Sequence, residues 1–176
     1  WMLAFALRAD GWYLRQDIIW HKPNPMPESV RDRCTKSHEY LFLLSKNRKY
    51  YYDNEAIKEP VKQDWGTRNR DQGKYHNEGT GLQPHTGLTK SYTTKNKRSV
   101  WSITNKPYKG AHFAVFPPDL IEPCILAGSE RGDIILDPFM GSGTTGMVAK
   151  KHGRNYIGCE LHEDYASLQT DRIDSI

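Results

Sequence analysis

Ile134-Ile-Leu-Asp137-Pro-Phe-Met-Gly141-Ser-Gly-Thr-Thr-Gly146 is the stretch on which the reading of this chain turns. A short apolar run, Ile134 to Leu136, leads into a glycine-rich turn. The turn passes into a helix-compatible segment, Met147-Val-Ala-Lys-Lys-His152. A second apolar run, Asn155 to Cys159, closes on an acid, Glu160. Strand, glycine turn, helix and a strand ending in an acid make half of a nucleotide-binding α/β unit. Glycine lets backbone approach a ligand closely, because no Cβ intervenes and positive φ is accessible. A carboxylate at the tip of the second strand can accept both hydroxyls of a ribose. The pattern therefore predicts a nucleoside-like cofactor, against the plainer alternative of a turn that merely joins a strand to a helix.

Gly141-Ser-Gly-Thr-Thr-Gly146 also spells the dinucleotide pattern G-x-G-x-x-G. In that fingerprint the first glycine follows the strand directly and the helix start faces a pyrophosphate. Here Asp137 to Met140 intervene, Pro138 interrupts sheet pairing, and Asp137 puts a negative charge where a pyrophosphate would be repelled. A cofactor carrying a positive amino group suits that charge better. The string Asp137-Pro-Phe-x-Gly-Ser-Gly-Thr-Thr145 resembles the S-adenosylmethionine loop of amino-methylating DNA methyltransferases, both adenine-N6 and cytosine-N4 types.

The chain of 176 residues suffices for one domain with a substantial core. Lys and Arg number 25 against 21 Asp and Glu, so the distribution of charge matters more than its sum. Cys34, Cys124 and Cys159 are far apart and odd in number, which reads as reduced thiols in a cytoplasmic setting. Cys34 with His38 would supply only half a tetrahedral zinc site, so no metal is expected. No window approaches the roughly 20 apolar residues of a membrane span, and no signal peptide is visible. The chain starts at Trp1 inside a helical pattern and reads as a piece of a longer protein.

Composition separates three regions. Residues 1–60 hold the end of a helix stopped at Gly11, a buried strand from Tyr13 to Trp20, and an extended loop, Lys22-Pro-Asn-Pro-Met-Pro27. His38 to Lys46 is a continuous apolar strand, Asn47 to Lys49 a turn, and Tyr50 to Tyr52 its antiparallel partner. Residues 61–110 carry ten Lys or Arg against three acids, Asp64, Asp71 and Glu78. Five aromatics (Trp65, Tyr75, Tyr92, Trp101 and Tyr108) are interleaved with them. Cationic, aromatic-spaced, glycine-loosened sequence suits a phosphate backbone and splayed bases; the alternative is a solvated, partly disordered insertion. Residues 111–176 begin with a helix entered at Pro117-Pro-Asp119, with Leu120, Ile121, Ile125 and Leu126 on one face and Gly128 as its stop. The glycine-turn unit follows. A last helix, Glu163 to Ile173, turns Tyr165, Leu168 and Ile173 inward.

Four blocks now stand in order: Asp17-Ile-Ile-Trp-His-Lys-Pro-Asn-Pro-Met-Pro-Glu-Ser29, His38 to Lys46, Ala111-His-Phe-Ala-Val-Phe-Pro117, and Asp137 to Gly146. Together they resemble the DNA N6-adenine/N4-cytosine methyltransferases whose catalytic half precedes the cofactor half, the beta order. The likeness fails only across about Val61 to Ser99, where that family places its variable target-recognition region. The resemblance implies a Rossmann-like, seven-stranded, mostly parallel α/β sheet with one antiparallel hairpin, binding S-adenosylmethionine across the strand ends. It divides the chain into a catalytic-side half (1–60), a target-recognition insertion (61–110) and a cofactor-binding half (111–176) of one domain.

By the same resemblance Asp137 would hold the methionine amino group, and Pro138, Phe139, Gly141, Ser142, Gly143 and Thr144 would line the cofactor. Glu160 would take the ribose hydroxyls, and Phe113 and Phe116 would wall the methionine end. Trp20, His21, Lys22 and Asn24 would face a base flipped from double-stranded DNA, with Arg68, Arg70, Lys95, Lys97 and Arg98 on the nucleic acid. Loop packing is the alternative for the first four. The resemblance admits a partner restriction nuclease and a prokaryotic or viral origin.

The family's catalytic block, a polar residue followed by Pro-Pro and an aromatic, is missing here. In the beta order it belongs upstream of Trp1, together with a central strand, so the sheet is expected to be incomplete on its N-terminal side. Phe116-Pro-Pro-Asp119 lacks the flanking residues, and Asn105-Lys-Pro-Tyr108 has Lys106 in place of the first proline. The sequence leaves open a nicotinamide-dependent oxidoreductase, and a DNA-binding module without catalysis.

Overall fold

The computed structural model describes residues 1–61, 93–105 and 115–174. Two compact units emerge, one of residues 1–57 with 98–176 and one of residues 58–97.

The larger unit opens with α1 (Met2–Ala9) and β1 (Tyr13–His21), joined through Gly11 at φ +93°. β2 (His38–Ser45) runs antiparallel to β1, from Tyr13 opposite Ser45 to His21 opposite His38. The proline loop is the connection between them, closed at its neck by Lys22 N–H donating to Ser37 O at 2.7 Å. This corrects the expected hairpin: β2 pairs with β1, and Tyr50–Tyr52 form no strand. The apolar run from 41 to 44 and the turn residues 47–49 looked like a local hairpin. The preceding strand, with eight registered partners, offers β2 far more pairing.

β5 (Val100–Ser102) runs parallel to β1 on its other edge. The composition boundary at 110 is therefore displaced, because Arg98 to Asn105 belong to the larger unit. Trp101 is 5% exposed and anchors that strand, a signal hidden by its polar neighbours. The sheet's pleat sorts its side chains in the usual period of two. Ile18, Trp20, Leu41 and Trp101 pack toward Leu120. Tyr40 and Phe42 point the other way, against the ring of Trp1 at 5.9 and 5.1 Å between centroids. Along β1 only Trp20 is buried, so the strand is half covered rather than enclosed.

α2 (Pro118–Gly128) begins where the diproline requires, with Pro117 as extended N-cap, Pro118 in the first turn and Asp119 at the positive end of the helix. Its Leu120 and Cys124 join the Trp20–Trp101 cluster, while Ile121 and Ile125 pack on Val148 and Ala149. One helix thus pins the first sheet to the βαβ unit. Leu126, expected inward, is only partly buried, and Ala127 takes that place at 4% exposure.

β6 (Ile134–Asp137), α3 (Thr144–Lys151) and β7 (Asn155–Gly158) form the predicted parallel unit, with Asp137 opposite Gly158. α4 (Glu163–Asp174) closes the chain with Ile173 buried. Among the described residues the strands form sheets of three, two and two rather than one of seven. Ile134, Leu136 and Ile157 are more than half exposed.

The smaller unit contributes β3 (Glu59–Pro60) and β4 (Thr94–Lys95), paired antiparallel, with Lys97 and Glu59 forming an ion pair at 3.5 Å.

Candidate functional site

The C-terminal ends of β6 and β7 carry one carboxylate each. Asp137 ends β6, and Glu160 lies two residues past Gly158 on the neighbouring strand. Backbone bonding continues beyond the strands, with Cys159 N–H donating to Asp137 O and Met140 N–H to Cys159 O, at 2.9 and 2.8 Å. Both acids therefore stand at one edge of one sheet, on either side of the glycine turn.

Each carboxylate grips that turn. Asp137 Oδ1 accepts from Phe139 N–H at 3.0 Å, and Oδ2 accepts from the Thr145 hydroxyl at 2.6 Å. Glu160 Oε2 accepts from Gly141 N–H at 2.8 Å and Oε1 from His162 N–H at 2.9 Å. The His162 amide above all, with those of Gly141 and Leu161, holds the Glu160 carboxyl below its ordinary range. An ionised carboxylate accepts and does not donate, and its oxygens keep lone pairs beyond the two used here. Among the described residues neither acid has a Lys or Arg partner. The site thus presents, among the described residues, two anchored acceptors with no Lys or Arg against them, Glu160 having only the charge of His162 nearby.

The glycines serve different ends. Gly143 precedes α3 at φ +81°, where an L side chain is strained, and an added Cβ would lie 3.2 Å from Gln169 Cα. Gly146 and Gly158 make room for Met140, which is 4% exposed. A Cβ on Gly146 would meet Met140 Cε at 2.5 Å, and one on Gly158 would meet Met140 Cγ and Sδ at 2.7 Å. The third glycine of G-x-G-x-x-G is thus a packing requirement here. Two of the turn's amides, those of Phe139 and Gly141, are already taken by the protein's own anions.

Asp137, Thr145 and Phe116 line a cavity of about 370 Å³ together with Ile121, Ile135 and Leu136, within the usual range for small-molecule sites. Glu160 is not part of its wall. A larger apolar cavity of about 460 Å³ lies among β2, Tyr50–Tyr52 and the end of α2. None of the site carboxylates reaches it.

The remaining predicted residues are dispersed. Pro138 follows Asp137 in the turn, and Phe139 is 86% exposed. Ser142 and Thr144 are 2% and 3% exposed, buried beneath the turn rather than lining an open surface. Trp20 is a core residue whose indole N–H donates to Ile103 O at 2.9 Å. His21 Nδ1 lies 3.1 Å from Ser102 Oγ. Lys22 is ion-paired with Glu39 and sits over the Trp20 ring. Asn24 exchanges hydrogen bonds with the backbone of Asn105, which ties the proline loop to the segment after β5. Lys95 lies on β4, Lys97 pairs with Glu59, and Arg98 O accepts from the Trp101 indole at 2.7 Å. Phe113, Arg68 and Arg70 lie outside the described residues, as does most of the cationic region. Three further side chains bond to the turn or its acids: Thr145 to Asp137, Gln169 to Gly141 O and Arg172 to Ser142 Oγ. Thr145 sits inside the diagnostic stretch, while nothing in the sequence pattern of α4 marks the other two.

A family model described as DNA methylase matches residues 2–171. The chain is 51% identical over 173 residues to the type II methyltransferase M.SmaI of Serratia marcescens, covering 98% of this chain and 50% of that protein. It is 48% identical to M.XycI of Xanthomonas campestris pv. cyanopsidis over 98% of this chain and 48% of that protein. The chain thus spans about half the length of the curated relatives it matches. The crystal structure of an M1.HpyAVI–SAM complex superposes with a TM-score of 0.64 at 26% identity, covering 97% of this chain and 68% of that one. The cytosine-N4-specific PvuII DNA methyltransferase shares the fold, with a TM-score of 0.67 at 20% identity over 97% of this chain and 54% of that one.

Proposed function

Since the chain belongs to the N6/N4 DNA methylase family, we propose that its protein transfers a methyl group from S-adenosylmethionine to the exocyclic amine of adenine or cytosine at specific sites in double-stranded DNA. The observation that carries this reading is the pair of carboxylates at adjacent strand tips, both fixed by one glycine turn and neither paired with a Lys or Arg among the described residues. When bound, the cofactor supplies an electrophilic methyl on a sulfonium centre.

Asp137 would hold the ammonium of the methionine tail. Its oxygens are oriented by Phe139 N–H and Thr145 and it has no cation among the described residues, so a bound amino group restores local charge balance. Phe116, on the same cavity wall, gives that tail an apolar side. Glu160 would accept from the ribose hydroxyls, since its backbone amides keep it ionised and fixed in direction. A pyrophosphate fits poorly, because its charge would meet these anions. That disfavours the oxidoreductase reading.

The exocyclic amine is a poor nucleophile, its lone pair delocalised into the ring, and must be drawn out of the duplex and aligned with the methyl. No polar-Pro-Pro-aromatic block occurs among these residues, so we place the groups that engage the amine elsewhere in the protein. Of the predicted insertion 61–110, residues 61–97 are proposed to carry target recognition, since Arg98 to Asn105 belong to the larger unit. We place the protein in the cytoplasm of a prokaryotic or virus-infected cell, in keeping with its bacterial relatives, and a partner nuclease would recognise the same DNA site.

The test is transfer of labelled methyl from S-adenosylmethionine to duplex DNA by the full-length protein, with Asp137→Ala abolishing it. Full-length protein that holds the cofactor and binds DNA, yet leaves every duplex unmethylated, would return the reading to a binding module.

A further inference from the structure

We infer that Gln169 and Arg172 of α4 are positioning residues for the glycine turn, acting on the cofactor site from behind it. Gln169 Nε2 donates to Gly141 O at 2.8 Å, and Arg172 Nη1 donates to Ser142 Oγ at 2.7 Å. α4 lies against the turn about as closely as Gly143 permits, with Gln169 Cα 3.2 Å from where a Cβ would stand. The same C-terminal half of the helix is tied to α3, because Lys150 Nζ donates to Ile173 O at 3.1 Å and to Asp174 Oδ1 at 3.0 Å. The last two turns of α4 are thus clamped to α3 while they grip the glycine turn.

The peptide groups on either side of Gly141 explain why this matters. Its N–H is held by Glu160 and its carbonyl by Gln169. With both ends engaged, a glycine that would otherwise sample much of φ/ψ space is confined to one orientation. That orientation directs the N–H which fixes Glu160. Gln169 therefore sets, through Gly141, the direction of the carboxylate assigned to the ribose. A turn ordered in advance spares ligand binding the cost of ordering it. The link to affinity rests on the cofactor reading of the turn; the brace itself does not.

The experiment uses the full-length protein with two variants, Gln169→Leu and Gln169→Glu. Backbone hydrogen exchange at residues 141–143 is measured without ligand, and S-adenosylmethionine affinity by calorimetry. Losing one hydrogen bond should lower protection of these amides about three- to tenfold and raise Kd by a similar factor, with protection in α3 unchanged. The Gln169→Glu variant sets a carboxylate against a carbonyl, and that contact favours its protonated form. Mild acidification should therefore restore the donor and the protection, a recovery that a general packing defect would not show. Wild-type protection in both variants would overturn the inference. A wild-type protein that binds no S-adenosylmethionine would sink the cofactor reading instead, while the exchange data still decide the brace.

Discussion

Gly158→Ala isolates the packing on which the turn depends. Gly158 lies in β7 without positive φ, so alanine is allowed by the backbone and only space is at issue. The new methyl would stand 2.7 Å from Met140 Cγ and Sδ and 3.1 Å from Met140 Cβ. Met140 cannot swing freely, since it is 4% exposed and its Cε already fills the room left by Gly146. Overpacking of this kind costs about 1–3 kcal/mol, and replacing glycine recovers roughly 0.5–1 kcal/mol of unfolded-state entropy. The net loss should be about 1–2 kcal/mol, read as a fall in the urea midpoint at unchanged slope. Because Met140 sits within the turn, cofactor affinity should fall with it. Met140→Ala removes the two 2.7 Å contacts and leaves only the one to Cβ at 3.1 Å, so the second change should cost much less there, a coupling of about 1 kcal/mol across the cycle. A Gly158→Ala protein as stable as wild type would refute this account of why the position is glycine.

Asp137→Asn keeps the size of the side chain but removes the charge facing the proposed ammonium, and S-adenosylmethionine Kd measured by calorimetry should rise about ten- to a hundredfold. Glu160 has its folded pKa lowered from 4.5, so its bonds to the turn are intact above that ordinary value and are lost as pH falls through the lower folded one. Cofactor affinity should accordingly hold steady from neutral pH down to about 4.5 and fall only below it, and Glu160→Gln should remove that acid limb. Trp20→Phe strips the indole donor from Ile103 O inside the core. It should cost about 1–3 kcal/mol in chemical denaturation and leave DNA affinity at constant salt unchanged.

The sequence makes the βαβ unit plain because three signals coincide there: a short apolar run, glycines needing special backbone, and an acid at the next strand end. The diproline likewise announces α2, whose N-terminus falls at Pro118. Non-local pairing is harder to read. The partner of β2 is β1, across a 16-residue loop (residues 22–37), while a nearer tyrosine run offered an equally good local pattern. Trp20 has the composition of a base-stacking residue, and only the packing of Leu120 and Trp101 around it shows a core role. Carboxylates can be located from a motif, but their hydrogen bonds cannot. Glu160 was read as a ribose acceptor, yet in the structure it also fixes Gly141. That contact depends on how β7 lies beside β6, and those of Gln169 and Arg172 on how a helix 20 to 30 residues further on packs back against the turn.

The most direct trial is a crystal structure of the full-length protein soaked with S-adenosylmethionine. The account predicts the amino group at Asp137, beside Phe116 and Thr145, and the ribose hydroxyls at Glu160, with Gly141 still bonded to Gln169. A cofactor lying in the opposite sense along the strand tips, or seated in the apolar cavity beneath Tyr50–Tyr52, would contradict it.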